Sequence, residues 1–383
     1  MSAERFARLD PARLPTPCFV IDEAALAANL AVLDRLQREG GARVLLALKA
    51  FSSPCVADLL MGTLAGTAAS GPFEARLARE RFGGEVHTFS VAFREADFAD
   101  VLALSDHVVL NSASQWRRFA PRVRRAGVDP GLRVNPRRGA APDPMYDPCA
   151  PGSRLGAVAE SLTELDLSSL SGLHVHALCE QDLAPLLDTV AALEAGFPAL
   201  LGQARWLNLG GGHRITAPGY DVDGLIRLVR ELSQRHGVQV YLEPGEAVVY
   251  EAGALITEVL DVTSNAGQVA VLDTSATCHT PDVIEAHYRP DVLGAGAPGA
   301  GGCDYRLGGP TCLAGDVFGD YGFDAPLAEG DRLVFLDQAP YTIVKTNTFN
   351  GMPLPSIAVW NSDTDALRVV KRFGYEDFAS RLG

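Results

Sequence analysis

Five places in the chain carry side chains able to do chemistry. The first is Lys49, which ends the apolar run VLLALK (44–49). An ammonium is costly to bury unless it is paired or neutralised, and crowding lowers its pKa. That suits a lysine to covalent chemistry with a carbonyl, although a snorkelling lysine would read the same way. The second is LNLGGGH (207–213). Its glycines Gly210, Gly211 and Gly212 let backbone N–H groups approach an anion such as phosphate, although a plain turn would read the same way. The third is EPGE (243–246), where Glu243 ends an apolar run. The fourth, HVHALCEQ (174–181), sets His174 and His176 on one strand face. They could stack on a cofactor ring or bind a metal as a pair. No carboxylate or further histidine obviously completes a metal site. The fifth is Cys312 in GGPTCLAGD (308–316), an inert thiol unless its loop reaches an active site. His87, His107 and His236 read as ordinary strand or surface histidines.

Something must position these groups. Eight short runs lie at 44–49, 66–70, 86–90, 107–111, 132–136, 173–178, 206–211 and 240–244. Most are apolar throughout, as in strands buried on both faces of a parallel sheet. Helix-compatible stretches separate them, including 22–37, with Asp22 as N-cap and Leu26, Leu30, Leu33 and Leu36 at helical spacing. Eight strand-helix units predict an α/β fold, a (β/α)8 TIM barrel over residues 20–250. Barrel enzymes act at the C-terminal ends of their strands, where Lys49, Ser70, Asn111, His176, the glycine triplet and Glu243 fall. The seventh run carries the glycines, a common place for phosphate in barrels. Beyond residue 250 the runs 254–262, 268–276, 331–338, 341–349 and 356–362 are short and β-rich. They predict a β-sandwich or β-barrel domain over 251–383, with 1–19 added to it and a flexible loop at 294–302.

Composition narrows the function classes. The 383 residues are 47% hydrophobic, enough for a full core, and no apolar run reaches membrane-spanning length. A formal net charge of −14 argues against nucleic acid as a partner and suits a cationic small molecule. Seven cysteines without a C-x-x-C pair read as reduced thiols. The opening MSAERFARLD lacks the plan of a signal peptide, so a cytoplasmic protein is expected, with no membrane partner and no metal.

Taken together, the motifs resemble one family, the fold-type-III pyridoxal-phosphate (PLP) decarboxylases of the alanine racemase-like barrel group. Ornithine, arginine and diaminopimelate decarboxylases belong to it. The resemblance runs from TPCFVID (16–22) to FGYEDFASRL (373–382). LLALKAF (45–51), NSASQW (111–116), CAPGSRLG (149–156), LDTSATCHTPDV (272–283) and YTIVKTNTFNG (341–351) carry it, beside the motifs above and YLEPGEAV (241–248). The branch it most resembles decarboxylates carboxynorspermidine and carboxyspermidine to norspermidine and spermidine, in polyamine biosynthesis.

The resemblance implies roles. Lys49 matches the lysine that holds PLP, and His176 the histidine stacked on its ring; His174 is expected to be structural. Gly210, Gly211 and Gly212 match the phosphate glycines, Tyr341 a phosphate-contacting tyrosine, and Glu243 the partner of the pyridine nitrogen. Cys312 matches a catalytic cysteine that crosses a homodimer interface into the other subunit's site. Glu246, Asp282 and, in second rank, Asp273 are expected to bind the substrate's amines. The chain departs from the wider family at Glu246, where an arginine is common, at Cys179 for a serine, at Leu313 for an acid and at Pro340 for a histidine. Another basic-amino-acid decarboxylase, a catalytically dead regulator and a metal-dependent barrel hydrolase using His174 and His176 remain the alternatives.

Overall fold

The computed structural model describes residues 2–383. The chain forms two compact units, Asn29–Val248 and, from both chain ends, Met1–Ala28 with Val249–Gly383. Strand β1 (Cys18–Asp22) belongs to the second unit. The next eight strands form the first: β2 (Arg43–Ala47), β3 (Gly66–Ala69), β4 (Glu85–Phe89), β5 (His107–Leu110), β6 (Asp129–Arg133), β7 (Gly172–His174), β8 (Trp206–Asn208) and β9 (Gln239–Leu242). They pair in sequence order, all parallel, and β9 pairs with β2 to close a barrel. All eight expected strand runs are strands of this barrel.

The barrel interior is filled by alternate residues of each strand. Leu45, Val109, Trp206 and Tyr241 form one buried cluster. Trp206 is admitted by two glycines: a Cβ at Gly172 would lie 2.0 Å from the indole, and one at Gly131 2.4 Å. Toward the start of the strands His87 stacks on His107 with ring centroids 3.9 Å apart. Both lie on strands, as expected, with His87 buried and His107 half-buried. Helix Glu23–Gly40 covers the predicted 22–37 segment. The 183–201 stretch is two helices, Leu183–Gly196 and Pro198–Gln203, because Phe197 takes a non-helical φ/ψ before Pro198.

The second unit is a nine-stranded, mostly antiparallel sheet built around β10 (Gly253–Ser264), which pairs with β1. β11 (Gln268–Leu272), β12 (Ala295–Gly296), β13 (Cys303–Gly308), β14 (Val317–Phe323), β15 (Arg332–Leu336), β16 (Ser356–Asn361) and β17 (Ala366–Lys371) complete it. One expected run fails. Residues 341–349 contain no strand, only a 3-10 turn at Ile343–Lys345 and the start of another at Phe349–Gly351. Tyr341 has φ 55°, and buried Thr342 donates its hydroxyl to the Gln338 carbonyl at 2.5 Å, a local bond that competes with a sheet ladder. A short helix, Ser2–Phe6, precedes β1. Among the described residues, no helix is long and apolar enough to cross a membrane.

Candidate active site

In the barrel unit the sequence-derived residues gather at the C-terminal strand ends. Lys49 lies two residues beyond β2, where Leu48 N–H bonds the Ala68 carbonyl and Ala47 N–H the Pro244 carbonyl. Of the two readings the apolar run left open, buried or snorkelling, the side chain takes the open one and reaches solvent at the barrel mouth. Surrounding protein atoms still crowd its amine. That desolvation, joined by the Arg133 guanidinium, pushes the Lys49 pKa below its usual value.

His174 and His176 project inward from β7 and the turn after it. Their rings stand 6.0 Å apart at 88°. His174 is buried, with Nε2 3.4 Å from a Glu243 carboxylate oxygen. His176 is half-buried and faces the glycine turn, where its Nδ1 accepts from Gly211 N–H at 3.4 Å. Burial holds both imidazoles below their usual pKa, an effect that the Glu243 carboxylate opposes at His174.

The glycine turn needs its glycines. Gly210 and Gly212 have φ of 70° and 83°, the left-handed region. A Cβ on Gly210 would press on the His176 ring at 2.8 Å; on Gly211 it would meet the Glu243 carbonyl at 2.3 Å. Histidine, turn and the end of β9 therefore pack in contact. Glu243 is 8% exposed. Burial alone would raise its carboxyl pKa, but His174 and the Asn208 hydrogen bond outweigh that and hold it near 2. The carboxylate stays ionised. Glu246 opens a short helix, Glu246–Val249, half-buried.

In the sheet unit, three loops interlock. Asp316, 3% exposed, accepts from Ser275 Oγ at 2.9 Å, Thr311 Oγ1 at 2.7 Å and Thr277 N–H at 3.1 Å. It pins the 309–316 loop, whose tip exposes Cys312. The Cys312 N–H donates to Asn350 Oδ1 at 3.0 Å. Asp282 is already engaged by Lys345, which also bonds Glu285 at 2.7 Å. Asp273 Oδ1 accepts from Thr257 Oγ1 at 2.6 Å and Glu258 N–H at 2.9 Å, tying β10. Tyr341 is half-buried with its left-handed backbone.

Sequence reasoning passes over Asn208, Arg133 and Asp316. Arg133 is 5% exposed, donates to the His176 carbonyl at 2.9 Å and lies over the Phe89 ring. The available signal was parity. Asn208 and Arg133 are polar residues inside apolar runs, in step with the inward-facing positions.

One atom each from His174, His176 and Glu243 lie within 4.8 Å of one another, so spacing alone would also accommodate a metal. The remaining groups fit PLP specifically. A crowded lysine amine can hold an aldehyde, an ionised buried carboxylate can face a ring nitrogen, and a left-handed glycine turn can cradle a phosphate.

Comparison with known proteins agrees. Residues 18–339 match the model of the pyridoxal-dependent decarboxylase C-terminal sheet domain. The chain is 44% identical to a carboxyaminopropylagmatine decarboxylase of Synechocystis, across 97% of this chain and 96% of that one. It is 40% identical to a carboxynorspermidine/carboxyspermidine decarboxylase of Campylobacter jejuni, across 96% and 99%. The crystal structure of C. jejuni carboxynorspermidine decarboxylase complexed with norspermidine superposes with a TM-score of 0.89 at 39% identity, covering 96% of this chain and all of that one. The chain belongs to the pyridoxal-dependent decarboxylases. It is an enzyme of polyamine biosynthesis with PLP as its cofactor.

Proposed function

We propose that this enzyme decarboxylates carboxynorspermidine and carboxyspermidine to norspermidine and spermidine. The likeness to a norspermidine-bound relative over nearly the whole of both chains carries this reading. When bound, PLP supplies an electron sink for the charge left by departing carbon dioxide. Lys49 would hold the cofactor covalently, and His176 would stack on its ring. Gly210, Gly211, Gly212 and Tyr341 would hold the phosphate. The Glu243 carboxylate would keep a proton on the pyridine nitrogen. In a homodimer, Cys312 of each subunit would reach the partner's site and deliver a proton to the substrate's Cα.

Glu246 is the first candidate for the substrate's cationic amines, which need paired carboxylates when desolvated. Asp282 and Glu285 share the single ammonium of Lys345, leaving one negative charge that a second cation could satisfy. Asp273 keeps its second rank. None of the seven cysteines is joined in a disulfide, as suits a cytoplasmic enzyme.

A second reading is favoured by the 44% identity to the carboxyaminopropylagmatine enzyme. That substrate shares the amino-acid head and the secondary amine and differs in a terminal guanidinium. Steady-state kcat/KM on the three substrates tests the choice. The expected order puts carboxynorspermidine and carboxyspermidine ahead. A tenfold or greater preference for carboxyaminopropylagmatine would transfer the assignment to it.

A further inference from the structure

We propose that Asn208 is a positioning residue that locks the Glu243 carboxylate and the glycine turn into one unit. It is fully buried inside the barrel, at the end of β8. Its side chain makes two bonds of opposite sense. Nδ2–H donates to Glu243 Oε1 at 2.7 Å, and Oδ1 accepts from Gly210 N–H at 2.8 Å. The amide orientation follows from chemistry, since a carboxylate cannot donate and an N–H cannot accept. A third bond closes the circuit: Glu243 N–H donates to the Gly210 carbonyl at 2.8 Å. Asn208, Gly210 and Glu243 thus form a ring of three hydrogen bonds, and no member can move without breaking one.

Residue type matters here. Serine is too short to span both partners, and leucine can bond neither. Aspartate could still accept from Gly210, but it would set a second carboxylate against Glu243. Two carboxylates at hydrogen-bond distance cannot both stay ionised in a buried site, so they share a proton. An amide is the neutral group that anchors the turn and leaves Glu243 its full charge. His174, at 3.4 Å from the other oxygen, completes the enclosure.

The inference rests on the reading of Glu243 as partner of the cofactor's pyridine nitrogen, and Asn208→Asp with Asn208→Ala separates the two. Cofactor affinity is measured by equilibrium dialysis, kcat and KM separately, and the carboxyl region of the infrared spectrum on apoprotein. Asn208→Asp should keep cofactor affinity within a few-fold, because the Gly210 anchor survives. It should show a protonated-carboxyl band at neutral pH and lose kcat by roughly ten- to a hundredfold at unchanged KM, the size of one charge-assisted bond. Asn208→Ala, lacking both bonds, should lose cofactor affinity by a similar factor without the new band. A new band with wild-type kcat would overturn the role given to Glu243 and leave the coupling intact. Wild-type affinity in Asn208→Ala together with no new band in Asn208→Asp would overturn the coupling itself.

Discussion

Replacing Gly211 by alanine should weaken cofactor binding without unfolding the barrel. Its φ lies outside the left-handed region, so alanine meets no backbone strain there. The difficulty is contact: the new Cβ would lie 2.3 Å from the Glu243 carbonyl oxygen and 3.1 Å from its carbon. Both are rigid backbone atoms, and ordinary contact begins at 3.4 Å. The ends of β8 and β9 must therefore part by about 1 Å. Overpacking of this kind costs about 1–3 kcal/mol, partly offset by the ~0.4–1 kcal/mol that glycine-to-alanine replacement recovers from the unfolded chain. A net loss of at most about 2.6 kcal/mol leaves the protein folded. The same displacement separates the turn from Glu243, and misplacement by ~1 Å at a reacting centre costs on the order of a hundredfold in rate. Equilibrium dialysis against PLP, urea unfolding of apoprotein and kcat/KM measure the three effects. Gly202→Ala is the control, since a Cβ there meets nothing within 4 Å. If Gly211→Ala binds PLP and turns over within twofold of wild type, the contact between turn and β9 is not what holds the cofactor.

Cys312→Ala should leave PLP affinity unchanged and depress product formation; mixing it with inactive Lys49→Ala chains should restore activity, and no recovery after confirmed subunit exchange would rule out shared sites. Glu246→Gln should raise KM by roughly ten- to a hundredfold with little effect on cofactor affinity, the loss of one charge-assisted hydrogen bond; an unchanged KM would remove Glu246 from the substrate site. Glu243→Gln should lower kcat and also flatten the acid sensitivity of the apoprotein. The Glu243 carboxyl titrates near 2 in the fold against an ordinary 4.5, so the stability it contributes is complete above pH 4.5 and lost as pH falls toward 2. Parallel urea-midpoint curves for variant and wild type across that window would contradict the assigned ionisation.

Much of the barrel was legible because its signal is redundant. Most strand runs are apolar on both faces, and most end in the same change to polar or glycine. Lys49, His176, the glycine triplet and Glu243 fall at equivalent strand ends, so the topology alone brings them together. The sheet unit was less legible. The 341–349 stretch has strand-like composition, but the bond from Thr342 to Gln338 folds it into a turn. β13 and β14 went unread because their glycines and charges, as in CDYRLG, mask the alternation. Substrate acids were harder still. A carboxylate in a loop looks the same whether it awaits a ligand or holds Lys345, as Asp282 does. Asn208 was hidden because its side chain bonds Glu243 at the end of the next strand and the Gly210 N–H of its own turn, which periodicity does not report.

The most direct measurement is the site of cofactor attachment. The chain has three lysines, Lys49, Lys345 and Lys371. In the structure Lys345 is paired with Asp282 and Glu285, and Lys371 lies over the Phe373 ring on β17. Borohydride reduction of the yellow holoenzyme, followed by peptide mass mapping, reads the attachment point without depending on the substrate. The pyridoxyl adduct should map to the peptide containing Lys49, and Lys49→Ala should carry none and be inactive. An adduct on Lys345 or Lys371, or a Lys49→Ala enzyme that still turns over, would contradict the assignment of Lys49 as the residue that holds PLP.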